Sequence, residues 1–334
     1  MSCNGGYDGM GEIDAVTLFE KIDEMTMNIQ KIVDEPYLDR LQLVLESLYF
    51  KESTESLDEY LKEELKKIDL EKISVTQIRK AIQFGILKGM KKSTQPNHSM
   101  TPESIALFIG YLADKLINHQ EETRIFDPAS GTGNLLLHVM GYLSQPTIGY
   151  ASEIDPSLLK LSAVSANLQK QHVELFHQDS IRPLLLDPVD LVISNLPVGY
   201  YPDDERAKEF MIRAEKGHTF AHHLFIEQSM NYTKDGRYLI FIVPNNLFDS
   251  EQSEQLTSYI QKTSQIVGLL QLPNTAFANK ENAKSILILQ KKGEDFSPIK
   301  QPLLVMLPSF SEPKLMENII VKINQWFKEQ LGIL

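Results

Sequence analysis

Four acidic or amide side chains close short apolar runs, and their spacing defines the chemistry open to this chain. Ile125-Phe126-Asp127 passes into Pro128-Ala129-Ser130-Gly131-Thr132-Gly133-Asn134-Leu135. Gly131 and Gly133 carry no side chain, so a ligand can approach the backbone there. Asp127 can accept a hydrogen bond from a cationic amino group. A second run, Gly149-Tyr150-Ala151-Ser152, ends on Glu153. An acid in that position can take both hydroxyls of a ribose, and Ile154 beside it can pack on an adenine face. Asp179, in His177-Gln178-Asp179-Ser180, can accept from an adenine amino group. The last run, Asp190-Leu191-Val192-Ile193-Ser194, leads to Asn195-Leu196-Pro197-Val198-Gly199-Tyr200-Tyr201. The alternatives are a strand-to-helix turn without ligand for the glycine loop and a solvated loop acid for Asp179. Other nucleotide loops fit less well: a dinucleotide fingerprint needs a third glycine where Leu136 stands, and no Gly-Lys-Ser/Thr occurs.

These residues need an alternation of strands and helices to bring them together. Candidate strands are Arg124–Asp127, Thr147–Ser152, Val173–His177, Asp190–Ser194, Arg237–Val243, Ile266–Gln271 and Lys284–Gln290, most of them separated by helical patterns. That pattern predicts a doubly wound, seven-stranded, mostly parallel α/β sheet, whose ligands bind at the carboxyl ends of its strands. A short strand near Leu303–Leu307 and a helix over Glu312–Leu331 follow. Thr101-Pro102 reads as a helix start, with Thr101 as N-cap and Pro102 in the first turn. Asp155 before Pro156 reads as another N-cap.

Ahead of this region, Ile13 to about Lys92 is helical: Leu18, Ile22, Met25 and Ile29, and then Leu41, Val44, Leu45 and Leu48, recur at three and four residues. The expected organisation is a glycine-rich tail over residues 1–12, a helical domain over 13–95 and an α/β domain over 96–334, with Gln95–Ser99 as linker. Alternating charges between Lys51 and Lys72, and the cluster Lys88, Lys91 and Lys92, read as solvated surface. His218 and His222, with His223 and Glu227, are metal-ligand types, but no second ligand cluster accompanies them. Lining of a substrate pocket is the expected role, and no metal is expected.

The 334 residues carry 33 basic and 45 acidic side chains, a net charge of −12. Tight duplex binding draws on Lys and Arg to neutralise phosphates, so this charge argues against a lone DNA-binding protein. The single cysteine, Cys3, rules out an intramolecular disulfide and a cysteine-rich zinc site. No apolar run reaches the ~18 residues of a membrane span, and a cytoplasmic location is the default expectation.

Together these segments resemble the class I S-adenosylmethionine-dependent methyltransferases. Within them they look like the N6-adenine DNA methyltransferases, especially the modification subunits of type I restriction systems. In that family a Thr-Pro helix start precedes an Asp-Pro-Ala-Cys-Gly-Ser-Gly loop, and Asn-Pro-Pro-aromatic follows the fourth strand. Thr101-Pro102, Asp127 to Gly133 and Asn195 to Val198 occupy those positions in that order. The similarity continues through Gly236-Arg237-Tyr238, Val243-Pro244-Asn245, Leu272-Pro273 and Ser285-Ile286-Leu287, and covers roughly residues 96–292.

The resemblance implies S-adenosylmethionine as cofactor, held by Thr101, Asp127 to Leu135, Glu153, Ile154, Asp179, Ser180 and Asn195. It implies methyl transfer to an amino nitrogen, adenine in DNA above all, with Asn195, Leu196, Pro197 and Val198 as the catalytic loop. Tyr200, Tyr201 and His218 are the expected substrate-pocket residues. Two departures stand out. Val198 replaces the aromatic residue that stacks on a flipped base, a loss worth about 1–3 kcal/mol unless Tyr200 or Tyr201 substitutes. Little more than one strand and one helix follow Gly293, so a sequence reader is expected on a separate specificity subunit. The alternative is an S-adenosylmethionine-binding regulatory or interaction protein with a degenerate catalytic motif.

Overall fold

The computed structural model describes residues 13–51, 59–92, 100–117, 119, 122–277, 282–294 and 296–333. The tail expected over residues 1–12 and the linker expected over Gln95–Ser99 lie outside them. Two compact units result: one runs through residue 96 and takes in Val164–Lys170, and the other comprises Asn97–Ala163 and Gln171–Leu334.

In the first unit the three-and-four spacing forms α1 (Ala15–Asn28), α2 (Tyr37–Phe50), α3 (Glu59–Lys66) and α4 (Val75–Lys92). Asp14 caps α1 by accepting from the Thr17 amide at 2.7 Å. The apolar stripes Leu18, Ile22 and Met25 on α1 and Leu41, Val44 and Leu45 on α2 are buried. Asp23 on α1 accepts from the Tyr37 hydroxyl and from Lys88 Nζ, each at 2.6 Å. Lys88 is thus a cross-link between α1 and α4 rather than a solvated charge. Gly89 lets α4 approach α2 closely, since a Cβ there would come within 2.3 Å of Leu38 Cδ2.

Along the chain there follow α5 (Glu103–Leu116), β1 (Thr123–Asp127), α6 (Asn134–Tyr142), β2 (Thr147–Glu153), α7 (Pro156–Leu168, its residues from Val164 counted in the first unit), β3 (Val173–His177) and β4 (Val189–Asn195). It continues through α8 (Asp204–Ala207), α9 (Ala221–Asn231), β5 (Thr233–Pro244), α10 (Ser253–Thr263), β6 (Ser264–Gln271), β7 (Lys284–Lys291), β8 (Leu303–Met306) and α11 (Pro313–Leu331). The strands form one sheet in the order β3-β2-β1-β4-β5-β7-β6-β8. Pairing is parallel from β3 to β5, antiparallel on both sides of β7, and parallel again between β6 and β8.

The sheet therefore has eight strands where the sequence predicts seven. The short segment after residue 302 pairs along the outer edge of β6, where Leu303 and Leu307 join the core that α11 covers with Ile323 and Phe327. An apolar strand edge is closed in this way.

Residues along each central strand alternate between two cores, the period-two signature of a sheet covered on both faces. Ile125, Leu191, Ile193 and Ile240 pack with α5, α6 and α11 residues such as Ile109, Leu136 and Phe327. Phe126, Val192 and Phe241 pack with Leu224 of α9 and Leu256 of α10. Strand order reverses between β1 and β4, so the carboxyl ends of β1, β2 and β4 open on a common crevice.

Candidate active site

Asp127, Glu153 and Asn195 are the last residues of β1, β2 and β4, which sets all three at that crevice. The loop after β1 turns through Gly131 at φ +55° and Gly133 at φ +76°. Both lie in the left-handed region that glycine enters without steric cost. A Cβ on Gly133 would approach Ser162 Oγ to 2.3 Å, whereas nothing lies within 4 Å of a Cβ position on Gly131. The loop is thus packed from behind at Gly133 and open in front at Gly131.

Asp127 is buried. Its Oδ1 accepts from Ser194 Oγ at 2.7 Å and from the Ala129 amide at 3.1 Å. Burial pushes its carboxyl up to about 7, and the Glu153 charge adds to the rise. Glu153 Oε2 accepts from the Gly131 amide at 2.8 Å, and its Oε1 accepts from the Ile154 and Asp155 amides at 2.9 Å each. Three of its roughly four lone-pair sites are used, so one remains. Asp155 accepts from the Ser157 and Leu158 amides, as an N-cap of α7 does. Ile154 is 67% exposed.

Asp179 accepts from the Ile181 amide at 2.9 Å and from the Tyr201 hydroxyl at 2.5 Å. Ser180 Oγ donates to the Pro128 carbonyl at 2.6 Å. The loops after β1, β3 and β4 are cross-linked by these bonds. Tyr201 is buried, with its phenol proton held by burial and by Asp179.

Thr101 is not the N-cap of α5. Pro102 holds the cap position without a side-chain bond, and the Thr101 hydroxyl accepts from Asn195 Nδ2 at 3.3 Å instead. The Thr101 carbonyl accepts from Asn134 Nδ2 at 2.7 Å. Thr101 therefore connects the catalytic-loop candidate to the glycine loop, a tertiary use of a hydroxyl that local sequence rules assign to the helix.

Asn195 Oδ1 accepts from Lys284 Nζ at 2.7 Å. The loop beyond it is held by backbone bonds from Tyr201 N to Thr219 O and from Ala221 N to Gly199 O, both at 2.8 Å. Leu196 is buried, while Pro197 and Val198 are exposed. Tyr200 is exposed and stacks on Phe220, with ring centroids 4.8 Å apart and planes 8° from parallel. Phe220 in turn stacks on His222 at 5.1 Å.

Of the four residues weighed as metal-ligand types, His218 and Glu227 bond elsewhere. His218 pairs with Asp204 at 2.8 Å, and Glu227 accepts from the Met211 and Ile212 amides at 3.0 Å each. His222 and His223 are buried, and burial pushes them down to about 4 and about 3, so both are neutral. Neither His223 ring nitrogen, nor His222 Nδ1, has a hydrogen-bond partner among the described residues. Lys284, Phe220 and the Asp179–Tyr201 bond are the features of the site that sequence reasoning missed. Lys284 directly precedes the Ser285-Ile286-Leu287 stretch, which was the one available signal.

An open glycine turn, acids ending β1 and β2 and an amide ending β4 thus meet at one crevice. The chain belongs to the N-6 DNA methylase family of S-adenosylmethionine-dependent methyltransferases, whose family model matches residues 90–331. The YtxK N-terminal helical domain matches residues 16–90. YtxK of Bacillus subtilis (strain 168), itself uncharacterised, is 44% identical over 321 aligned positions, in a match that covers 94% of this chain and 97% of that one. A Listeria monocytogenes crystal structure, provisionally assigned as a class I S-adenosylmethionine-dependent methyltransferase, is 41% identical with a TM-score of 0.88. That match covers 94% of this chain and 99% of the other. The type I restriction-modification methyltransferase subunit of Streptococcus thermophilus matches at 15% identity and a TM-score of 0.63, over 93% of this chain and 74% of that one. At that identity the likeness shows a shared fold alone.

Proposed function

We propose that this methyltransferase acts on an exocyclic amino nitrogen, that of adenine in DNA, with sequence selection supplied by a separate specificity subunit. The observation that carries the reading is Asn195 at the carboxyl end of β4, tied through Thr101 to Asn134 of the glycine loop. An amide oxygen has two lone pairs. One is taken by Lys284, and the other is available to an acceptor N–H. Accepting that hydrogen concentrates the acceptor's lone pair for in-line attack.

The residues present suit S-adenosylmethionine. Gly131 faces open space, Asp127 is a buried acid matched to an ammonium, and Glu153 keeps one site for a ribose hydroxyl. Ile154 offers an exposed apolar side chain to the adenine face. Each Asp179 oxygen accepts one bond and has room for an adenine amino group. Bound there, the cofactor supplies an electrophilic methyl group carried on a sulfonium. The chain's own contribution is positioning and electrostatics. Tyr200, exposed and backed by Phe220, is the ring best situated to stand in for the aromatic that Val198 lacks. Tyr201 serves instead as a brace through Asp179.

Calorimetry tests the cofactor contacts. Glu153→Ala is expected to weaken S-adenosylmethionine binding by about tenfold or more, the equivalent of one charge-assisted hydrogen bond. Glu153→Gln, which keeps one acceptor oxygen, should lose less. Unchanged affinity in Glu153→Ala would remove the ribose assignment.

Labelled methyl transfer offered to DNA, RNA and cell-extract protein tests the acceptor. DNA is expected to take the label, and transfer to protein alone contradicts the reading. The isolated chain, at net charge −12, should bind duplex DNA weakly and without sequence preference, with affinity falling steeply as salt rises. Tight, sequence-selective binding at physiological salt would mean that this chain reads sequence unaided.

A further inference from the structure

Lys284 is a titratable group that the proposed reaction leaves unused. It opens β7 opposite Pro244 of β5, with its Nζ 2.7 Å from Asn195 Oδ1. Asn195 is its hydrogen-bond partner, and among the described residues no carboxylate pairs with it. Among the described residues, the elements packed about it offer no compensating charge. β4 presents the amide of Asn195 and β5 presents Pro244, while α9 presents His222, a neutral ring that feels the lysine's charge. His223 beside it is neutral as well. Among the described residues, an ammonium in this position is uncompensated. Methyl transfer aggravates that, because the methyl donor is cationic and the acceptor nitrogen becomes cationic as its new bond forms.

We infer that Lys284 works as a neutral amine and takes the proton that the methylated nitrogen releases, which makes it a catalytic residue of this site. The inference rests on the reading that Asn195 holds the acceptor amino group. A nitrogen hydrogen-bonded to the second lone pair of Asn195 Oδ1 stands about 4–5 Å from Lys284 Nζ, a gap that one water bridges. In the step, the acceptor lone pair forms the nitrogen–carbon bond, and the carbon–sulfur bond breaks with its pair passing to sulfur. The N–H proton passes through that water to the Nζ lone pair, and Lys284 returns it to solvent once product leaves. Burial lowers the lysine pKa, the direction this role needs. A neutral amine also still donates to Asn195, so the hydrogen bond survives the loss of charge.

The proton on Lys284 can be read without turnover, by competitive acetylation of the full chain against pH with peptide mass spectrometry. A midpoint below the ordinary value of about 10.4 is expected in the unliganded protein. S-adenosylmethionine should lower it further, and S-adenosylhomocysteine, neutral at sulfur, should not. A midpoint at or above the ordinary value with and without S-adenosylmethionine overturns the inference. With unmethylated plasmid DNA as acceptor, Lys284→Met is expected to lower kcat near neutral pH by about 10²-fold or more and to remove the ascending limb of the pH–rate profile. Lys284→Gln, which keeps a donor toward Asn195, should be as slow, whereas a merely structural lysine would be rescued by it. A wild-type pH profile in both variants, with Asn195→Ala inactive, overturns this inference alone. Full transfer by Asn195→Ala strikes at the acceptor reading and takes this inference with it.

Discussion

Asn195→Ala is expected to lower kcat for methyl transfer by about 10²- to 10³-fold, the range for removing one preorganised hydrogen-bonding group from a transition state. Calorimetric affinity for S-adenosylmethionine should stay close to wild type, because the bond to the acceptor matters most as charge develops on its nitrogen. The geometry makes this a sharp test. Asn195 is held from two sides, by Thr101 at 3.3 Å and Lys284 at 2.7 Å, so its oxygen is fixed before substrate arrives. A companion change reports the acceptor's class. Val198 is 50% exposed, so Val198→Phe adds a ring without repacking the core. Turnover on DNA should rise if a flipped base gains a stacking partner, an interaction worth about 1–3 kcal/mol. An acceptor that is not a base should instead be blocked by the same ring. Full activity of Asn195→Ala would take this loop out of the chemistry.

The second large effect is a pH dependence of cofactor affinity centred on Asp127. Its buried carboxyl is pushed up from 3.8 to about 7, chiefly by burial. Below about pH 7 the acid is therefore protonated in the unliganded protein, and above it ionised. Only the ionised form attracts an ammonium, so S-adenosylmethionine affinity should rise as pH passes upward through about 7. Below that point affinity should fall by up to about tenfold per pH unit. At higher pH the gain should fade as the ligand's α-amino group, ordinarily near 7.7–8.0, loses its proton. Asp127→Asn should bind weakly and remove the acidic limb. Calorimetry across this range on both proteins is the check, and a flat wild-type profile would separate Asp127 from the ligand's cation.

Local pattern made much of this molecule readable. The glycine turn follows an apolar strand directly, so sequence neighbours are site neighbours, and β1 to β7 all arise from apolar runs, most of them separated by helices. The N-terminal helices likewise follow from their three-and-four spacing. What escaped the sequence depends on distant pairing. β8 is only four residues long, and its membership of the sheet follows from a parallel register with β6 that no local signal carries. Lys284 meets Asn195 because β7 runs antiparallel to β5 and β4 lies beyond it. Thr101 obeys the composition of a helix start yet spends its hydroxyl on Asn195. Glu153 stands at the strand end, as its spacing predicts, but most of its capacity goes to the backbone of the very loop it borders. The rings of Tyr200, Phe220 and His222 come together only when the loop beyond β4 bridges back to the start of α9.

Nucleoside mass spectrometry of unmethylated DNA incubated with the wild-type chain and S-adenosylmethionine tests the central claim most directly. It reports which atom receives the methyl group rather than whether label moves. The account predicts N6-methyldeoxyadenosine, formed slowly by the chain alone given its net charge of −12, and lost in the Asn195→Ala control. Methylation at another base atom, or DNA left unmodified while protein or RNA in the same reaction gains the methyl group, would contradict it.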